Sequence, residues 1–499
     1  VYSFAAHECG ENNIFSTGDG NGKILRSSST IGSCLITSHL YNDSTMLAMS
    51  IWGGMYNTQL YGNSGGVANL TVSEIFICSI NDIEPTEDRH DGMPLVTYNG
   101  GYYQQIIART SWDTDAPVVL MRGASATTVG HSHQASGEFQ IYYKGMLAGD
   151  DGVYDNYGSD HHYYYHKATI AHSALLVFNP AKKNVYKGYY SGGQPKLDST
   201  DNIHEFMEGD YFKTGEVTGV AIGYGEADVP KYVYYANDLT LAYHNPNVVD
   251  YVGRTMLTVF TGDETFPMFL FVYDRIDVPK TDYTKSFLLQ CAKEPVIDTE
   301  NQMAIVDNGA GKLVLKSLIG CVSIAAYGGE SGADPQRYWI STQNKNLPSY
   351  GGLSSGAGGN GTGGNTNGDM WGKVEIQAPA GTKSDVMMNV LYVTDSQTEQ
   401  IPTTKALGGG DKEYVGAIAN DQVAVFVTET GTDYRTSEIS VSGISGTQKL
   451  DYYVGGLAAG KWQVKVGANT VGEFTVKDGE HFLTFNARAG RLTLTPVSE

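Results

Sequence analysis

RTMLTVFTGDETFPMFLFVYDR, residues 254–275, decides the fold. Its two short apolar runs, Thr255–Phe260 and Met268–Tyr273, are bounded by Gly and Asp and rich in β-branched and aromatic residues, so they read as strands. The same signature recurs at Glu74–Ile80, Gln104–Ala108, Val118–Met121, Phe139–Tyr143, Leu175–Phe178, Val217–Ile222 and Ser286–Gln290, and again at Val374–Ile376 and Val386–Val393. Strands at that density predict a mainly β protein built on a large antiparallel β-sandwich.

The pattern differs at the two ends. From Ser27 to Trp52 the apolar residues (Ile31, Leu35, Ile36, Leu40, then Met46, Leu47, Ile51) fall at helical spacing, interrupted by the N-cap cluster Asn42-Asp43-Ser44. This predicts one helical hairpin, with helices concentrated before residue 60. Between Gly351 and Gly372, 10 of 22 residues are glycine without apolar periodicity, which reads as a lid or an unstructured excursion. Gly408-Gly409-Gly410 marks an expected boundary before strands at Val423–Val427, Trp462–Val466, Phe474–Val476, Phe482–Phe485 and Leu492–Leu494. The expected organisation is therefore 1–89 helical, 90–400 sandwich and 412–499 a small C-terminal β domain.

Composition limits the partners. With 33 basic and 54 acidic residues the chain carries −21, which opposes general binding to nucleic acid or to anionic membranes. No run approaches the ~20 apolar residues of a membrane span. Cys9, Cys34, Cys78, Cys291 and Cys321 are odd in number, widely spaced and free of CxxC, so they read as mostly buried thiols rather than a disulfide framework or zinc ribbon. The start, Val1-Tyr2-Ser3-Phe4, has neither an initiator Met nor a signal segment and reads as a chain processed or truncated upstream.

Residues 130–180, GHSHQASGEFQIYYKGMLAGDDGVYDNYGSDHHYYYHKATIAHSALLVFNP, hold six of the twelve histidines. On a strand, the alternation in His131-Ser132-His133 puts both imidazoles on one face. Asp150 follows one strand-like run and His172 stands in another, so adjacent strands can gather two imidazoles and a carboxylate, a set that suits Zn²⁺. Spacing alone leaves open a set of surface or hydrogen-bonded residues with no metal. Likewise Tyr163–Tyr165 can serve packing, and Arg122, Lys144 and Arg254 can be solvated charges.

The segment resembles the heparinase II/III-like family of polysaccharide lyases. The motifs that carry the resemblance are His131-x-His133, Asp150-Asp151-Gly152-Val153-Tyr154, and Thr169-Ile170-Ala171-His172 running to Asn179-Pro180. Ile107–Gly123, Arg254–Arg275 and Met370–Thr394 look like the family's sandwich, and Phe15-Ser16-Thr17-Gly18-Asp19 like the end of the (α/α) toroid that precedes it. The resemblance implies one structural zinc on His133, Asp150 and His172. It also implies His131 facing substrate, and Tyr154 with one of Tyr163, Tyr164 and Tyr165 lining a catalytic cleft. Three positions depart from the family pattern: Ala135 replaces an Asp, Ser173 replaces the commoner Asn, and Asp151 competes with Asp150 as ligand.

The implied reaction is β-elimination on a uronic-acid polysaccharide. Removing the C5 proton requires donors that neutralise the adjacent carboxylate, and a Tyr or His to move the proton. Arg122, Lys167 or Arg254 would offset the chain's negative field where the anionic glycan lies. The family's principal tyrosine and its carboxylate-neutralising pair belong to the toroid, of which only a last hairpin is visible here, so an upstream toroid segment or chain is an expected partner. A secreted or periplasmic location, and a homodimer as a further option, go with this reading. Alginate, heparan sulfate, chondroitin and hyaluronan all remain open as substrates. Two rivals stand beside it: a non-catalytic carbohydrate-binding or scaffold module of the same fold, and a zinc hydrolase. The hydrolase would need a carboxylate base, and alternation from His133 puts Glu138 on the opposite face.

Overall fold

The computed structural model describes residues 6–10, 13–15, 28–52, 83–101, 104–124, 132–152, 159–181, 191–194, 213–243, 248–329, 336–348, 370–409 and 413–497. The strand expected at Glu74–Ile80, most of the glycine-rich stretch, Cys78, His131 and Tyr154 lie outside them.

Tyr251–Phe260 and Met268–Asp277 pair antiparallel along their whole length, from Tyr251 opposite Asp277 to Phe260 opposite Met268. They are the middle of an eight-stranded sheet whose spatial order is Val296–Asp298, Met303–Asn308, Gly311–Ile319, Ser384–Asp395, Met268–Asp277, Tyr251–Phe260, Pro230–Asp238, Glu216–Tyr224. Successive side chains on Met268–Asp277 point to opposite faces. Met268, Leu270 and Val272 enter an inner core with Met256, Phe139 and Phe287, whereas Phe269, Phe271 and Tyr273 enter an outer core with Ala417, Ala424 and Phe426. A strand covered on both faces keeps no polar side, which is why it reads as a continuous run instead of an alternating one. Burial of each such Phe contributes on the order of 1.5–3 kcal/mol.

Two smaller antiparallel sheets cover the inner face. One has the order Val96–Asn99, Gln105–Arg109, Val118–Arg122, Phe139–Tyr142, Met146–Ala148; the other has Ser323–Gly328, Gly372–Gln377, Thr284–Cys291, Leu175–Phe178. The mainly β sandwich expected from the sequence is thus present, with strands at Pro230–Asp238, Met303–Asn308 and Gly311–Ile319 beyond those the spacing picks out.

The outer face receives the C-terminal domain. Its five-stranded sheet places Ala417, Ala419 and Ala424 against the large sheet, and the small side chains let aromatic pairs meet, Tyr273 on Phe426 at 5.7 Å and Tyr234 on Phe482 at 4.5 Å between ring centroids. A separate core around Trp462, Tyr452 and Leu492 fills the space to its second, four-stranded sheet. The first strand of this domain is Thr404–Gly408, paired with Tyr414–Ala419. Gly408 therefore ends a strand that already belongs to the C-terminal sheet, paired with Val415, and it has φ +70°, a backbone conformation glycine adopts without strain.

Near the start, helices Ser28–Tyr41 and Ser44–Trp52 form the expected hairpin. Asn42 closes the first in the left-handed region at φ +54°, and the Asp43 carboxylate accepts from the Met46 amide at 2.9 Å to cap the second. Cys9, Cys34 and Cys291 are buried free thiols, and Cys321 is half-buried and free.

Candidate metal centre

The histidine-rich segment does not run as plain strands. His133 precedes a turn at Ser136-Gly137, where Gly137 takes φ +81°, and only then does the strand Phe139–Tyr142 begin. The turn resets the alternation, so Glu138 comes to the same side as His133's neighbours. This corrects the opposite-face placement expected from period two. Asp150 lies two residues past Met146–Ala148, and His172 follows a single 3₁₀ turn, Thr169–Ala171. The Tyr163–Tyr165 run lies in a π-helical turn over His162–His166, closed by the Lys167 amide donating to the His162 carbonyl at 3.1 Å.

Three chain segments meet in the interior. One donor atom from each of His133, Asp150 and His172 lies within 4.8 Å of the others, and all three residues are buried. His172 Nδ1 faces Asp150 Oδ1 at 2.8 Å and Glu138 Oε2 at 3.0 Å. The second oxygen of Glu138 accepts from the Arg122 guanidinium at 3.2 Å. The imidazole of His133 stands edge-on to His172, 5.2 Å between centroids, and to His166, 4.5 Å.

Charge shapes this cluster. Burial, and then the neighbouring Glu138 carboxylate, raise the Asp150 carboxyl to about 7. Burial also works to raise Glu138, but His172 and then Arg122 outweigh it and hold the group at about 2. For His172 burial works downward, and Asp150 with Glu138 overcome it, lifting the imidazole to about 9. Two carboxylates buried around one imidazole call for positive charge, which either protons or a cation can supply. Asp150 Oδ2 and His172 Nε2 are buried with no hydrogen-bond partner, a further sign that the donor set suits an ion. Nitrogen and carboxylate donors together match Zn²⁺.

The other expected site residues divide. Asp151 turns away from the cluster and accepts from the Tyr165 hydroxyl at 2.5 Å, so it does not compete with Asp150. Tyr165 is fully buried, its phenol pushed far above its usual value by burial and then by Asp151, and it lies inside the protein rather than along a cleft. Tyr164 is buried too, which leaves Tyr163, half-buried, as the least buried member of the run. Tyr165→Phe is expected to cost about 1–3 kcal/mol, because it leaves the buried Asp151 carboxylate without that donor. Thermal unfolding should show the loss while metal content stays unchanged.

Arg254 is also corrected. It stands opposite Asp274 on the inner face of the large sheet, fully buried, with Nε–Oδ1 at 2.6 Å and a second bond, Nη2–Oδ2, at 3.0 Å. It has no surface to offer a glycan. Its remaining guanidinium nitrogen donates to the carbonyls of Gly137 at 2.8 Å and Ser173 at 3.2 Å, the residues next to Glu138 and His172. Ser173 in turn accepts through Oγ from the Gln290 amide at 3.0 Å. Arg122 and Lys167 are buried as well, Arg122 against Glu138. None of the three basic residues faces outward as a free charge. Glu138 and the bracing role of Arg254 are what reading the sequence missed, and the signal for Glu138 was Gly137 breaking the strand period.

Fold and site define an antiparallel β-sandwich protein with a buried histidine–carboxylate cluster suited to a cation. Residues 410–496, the C-terminal domain, match the family model described as the Heparinase II C-terminal domain. No curated protein sequence matches it. Among solved structures, a heparinase III gene product aligns at TM-score 0.48 and 12% identity, covering 84% of this chain and 50% of that one. Heparan sulfate lyase HepC from Pedobacter heparinus aligns at TM-score 0.48 and 12% identity, covering 83% and 50%. The chain thus spans about half the length of these structures.

Proposed function

We propose that this chain is the sandwich portion of a polysaccharide lyase that cleaves a uronic-acid glycan by β-elimination, with one zinc ion on His133, Asp150 and His172. The observation that carries the reading is the meeting of those three residues in one buried cluster, on a chain whose C-terminal domain matches the heparinase II model. The ion, when bound, supplies a fixed positive charge that ties three chain segments together. Elimination consumes no water, so the chemistry asks for no metal-activated hydroxide.

The chain's own residues supply the cleft wall. Positioned donors stabilise the charge that develops on the substrate carboxylate as the C5 proton leaves. His131, two residues before His133 in sequence, is the residue we assign to that task, with Tyr154 and Tyr163 as further candidates. The family resemblance assigns the principal acid/base tyrosine to an (α/α) toroid, which this reading takes as the chain's partner. The setting is secreted or periplasmic, where acidic polysaccharides are met. Among the described residues no helix is long and apolar enough to cross a membrane.

The test is an absorbance assay for unsaturated uronate on alginate, heparan sulfate, chondroitin and hyaluronan. The 499-residue chain alone is expected to cleave slowly or not at all, and the chain joined to its toroid to cleave one class of glycan. In the joined form His131→Ala should reduce turnover by roughly 10²-fold or more, with the metal retained. Full activity from the chain alone would place the principal tyrosine within it, and no activity in either form would favour the scaffold module.

A further inference from the structure

Where the large sheet meets the C-terminal domain, the two leave a cavity of about 670 Å³, far larger than the voids of a packed interior and of the size of small-molecule sites. Its wall on the sandwich side is aromatic. Tyr232 and Phe260 come from adjacent strands, and Phe266 from the loop between Tyr251–Phe260 and Met268–Asp277. Tyr232 is half-buried, and its ring lies over Gly223, its cross-strand partner, where a larger side chain would collide with it. Asp263 holds the loop: its Oδ1 accepts from the amides of Thr265 at 2.6 Å and Phe266 at 3.3 Å.

The opposite wall is polar and comes from three neighbouring strands of the C-terminal sheet, Gln422–Val427, Lys449–Gly455 and Phe482–Arg488. Register sets Asp451 across from Asn486, whose side-chain amide donates to Asp451 Oδ1 at 2.8 Å. The Gln422 side-chain amide donates to Asp421 Oδ1 at 2.7 Å, and its oxygen accepts from the Tyr453 hydroxyl at 3.1 Å. Each carboxylate keeps its second oxygen and each amide its second N–H, so acceptors and donors stand side by side. Neighbouring hydroxyls on a sugar ring both donate and accept, which suits such pairs, and the ring's C–H face suits the aromatic wall. Three aspartates, Asp263, Asp421 and Asp451, against one lysine, Lys231, oppose entry of a uronate. An ammonium group would use the carboxylates and leave the amides idle. We propose that this cavity binds a neutral saccharide. It shares no residue with the histidine cluster, and the proposal stands independently of the lyase reading.

The experiment is calorimetric titration of the 499-residue chain with cellobiose, maltose, lactose and N,N′-diacetylchitobiose, and with galacturonate and glucosamine as charged controls. Saturable binding of at least one neutral disaccharide is expected, with none of galacturonate. Tyr232→Ala and Asn486→Ala should each weaken that binding by roughly 10-fold or more, the first through the lost aromatic wall and the second through the lost hydrogen bond. If Tyr232→Ala fails to fold, Asn486→Ala decides, because Asn486 is exposed. Absence of binding by every neutral sugar overturns the proposal. Binding untouched by Asn486→Ala places the sugar elsewhere and overturns it too, as does preference for glucosamine over all four disaccharides. None of these outcomes bears on β-elimination.

Discussion

Replacement of Arg254 by methionine is expected to destabilise the protein by about 3–5 kcal/mol, the usual cost of removing one partner from a buried ion pair. Arg254 and Asp274 are both fully buried and doubly bonded, so the variant leaves the Asp274 carboxylate in the sandwich core with nothing to offset it. The double variant Arg254→Met, Asp274→Leu removes both charges and should recover most of that loss. It should not recover the metal site. The same guanidinium holds the carbonyls of Gly137 and Ser173, and without it the backbone beside Glu138 and His172 loses its brace. Denaturant unfolding together with metal titration separates the two effects: restored stability with weakened metal affinity is the expected pair. Restored stability with unchanged affinity would show that Arg254 serves the core alone.

His172→Ala has the second large effect. It removes the imidazole on which Asp150 and Glu138 converge, and it leaves two carboxylates buried side by side. Metal affinity should fall by at least roughly 10²-fold, and melting temperature should fall with metal content, because binding free energy is folding free energy where the site exists only in the folded chain. Chelation of the wild-type protein should reproduce part of the same shift, and added zinc should reverse it in the wild type but not in the variant. A melting temperature indifferent to both chelator and zinc would show the cluster to be held by protons alone.

Much of this architecture is legible in the residues. Met268–Tyr273 is apolar at every position because both faces of that strand are covered, and Asn42-Asp43-Ser44 breaks the helical spacing where the hairpin turns. Asp150 and His172 stand within three residues of a strand, where a sheet brings distant segments together, and His133 joins them from the loop ahead of the Ser136-Gly137 turn. What resisted was local chain geometry and charge pairing. Gly137 in a turn moves Glu138 to the side that alternation denied it; a glycine at that place permits a positive φ without requiring it, so the signal was present but not decisive. Arg254 reads as a cation available to an anionic glycan until its register opposite Asp274 is known, and register depends on the neighbouring strand. The π-helical turn at His162–His166 hides two of the three tyrosines that the sequence run displays together. Gly408 reads as a linker because flexible glycines and strand-end glycines look alike in sequence; its pairing with Val415 shows that it closes a strand.

Service of this sandwich in β-elimination is tested most directly by the mass balance of the reaction. A defined uronate oligosaccharide, incubated with the chain joined to its toroid, is to be resolved into products by mass spectrometry in isotopically labelled water. Elimination predicts two products whose masses sum to that of the substrate, one of them carrying an unsaturated uronate and neither carrying labelled oxygen from the cleavage step. Products heavier in total by one water, with the label at the cleaved bond, would show hydrolysis and contradict the account.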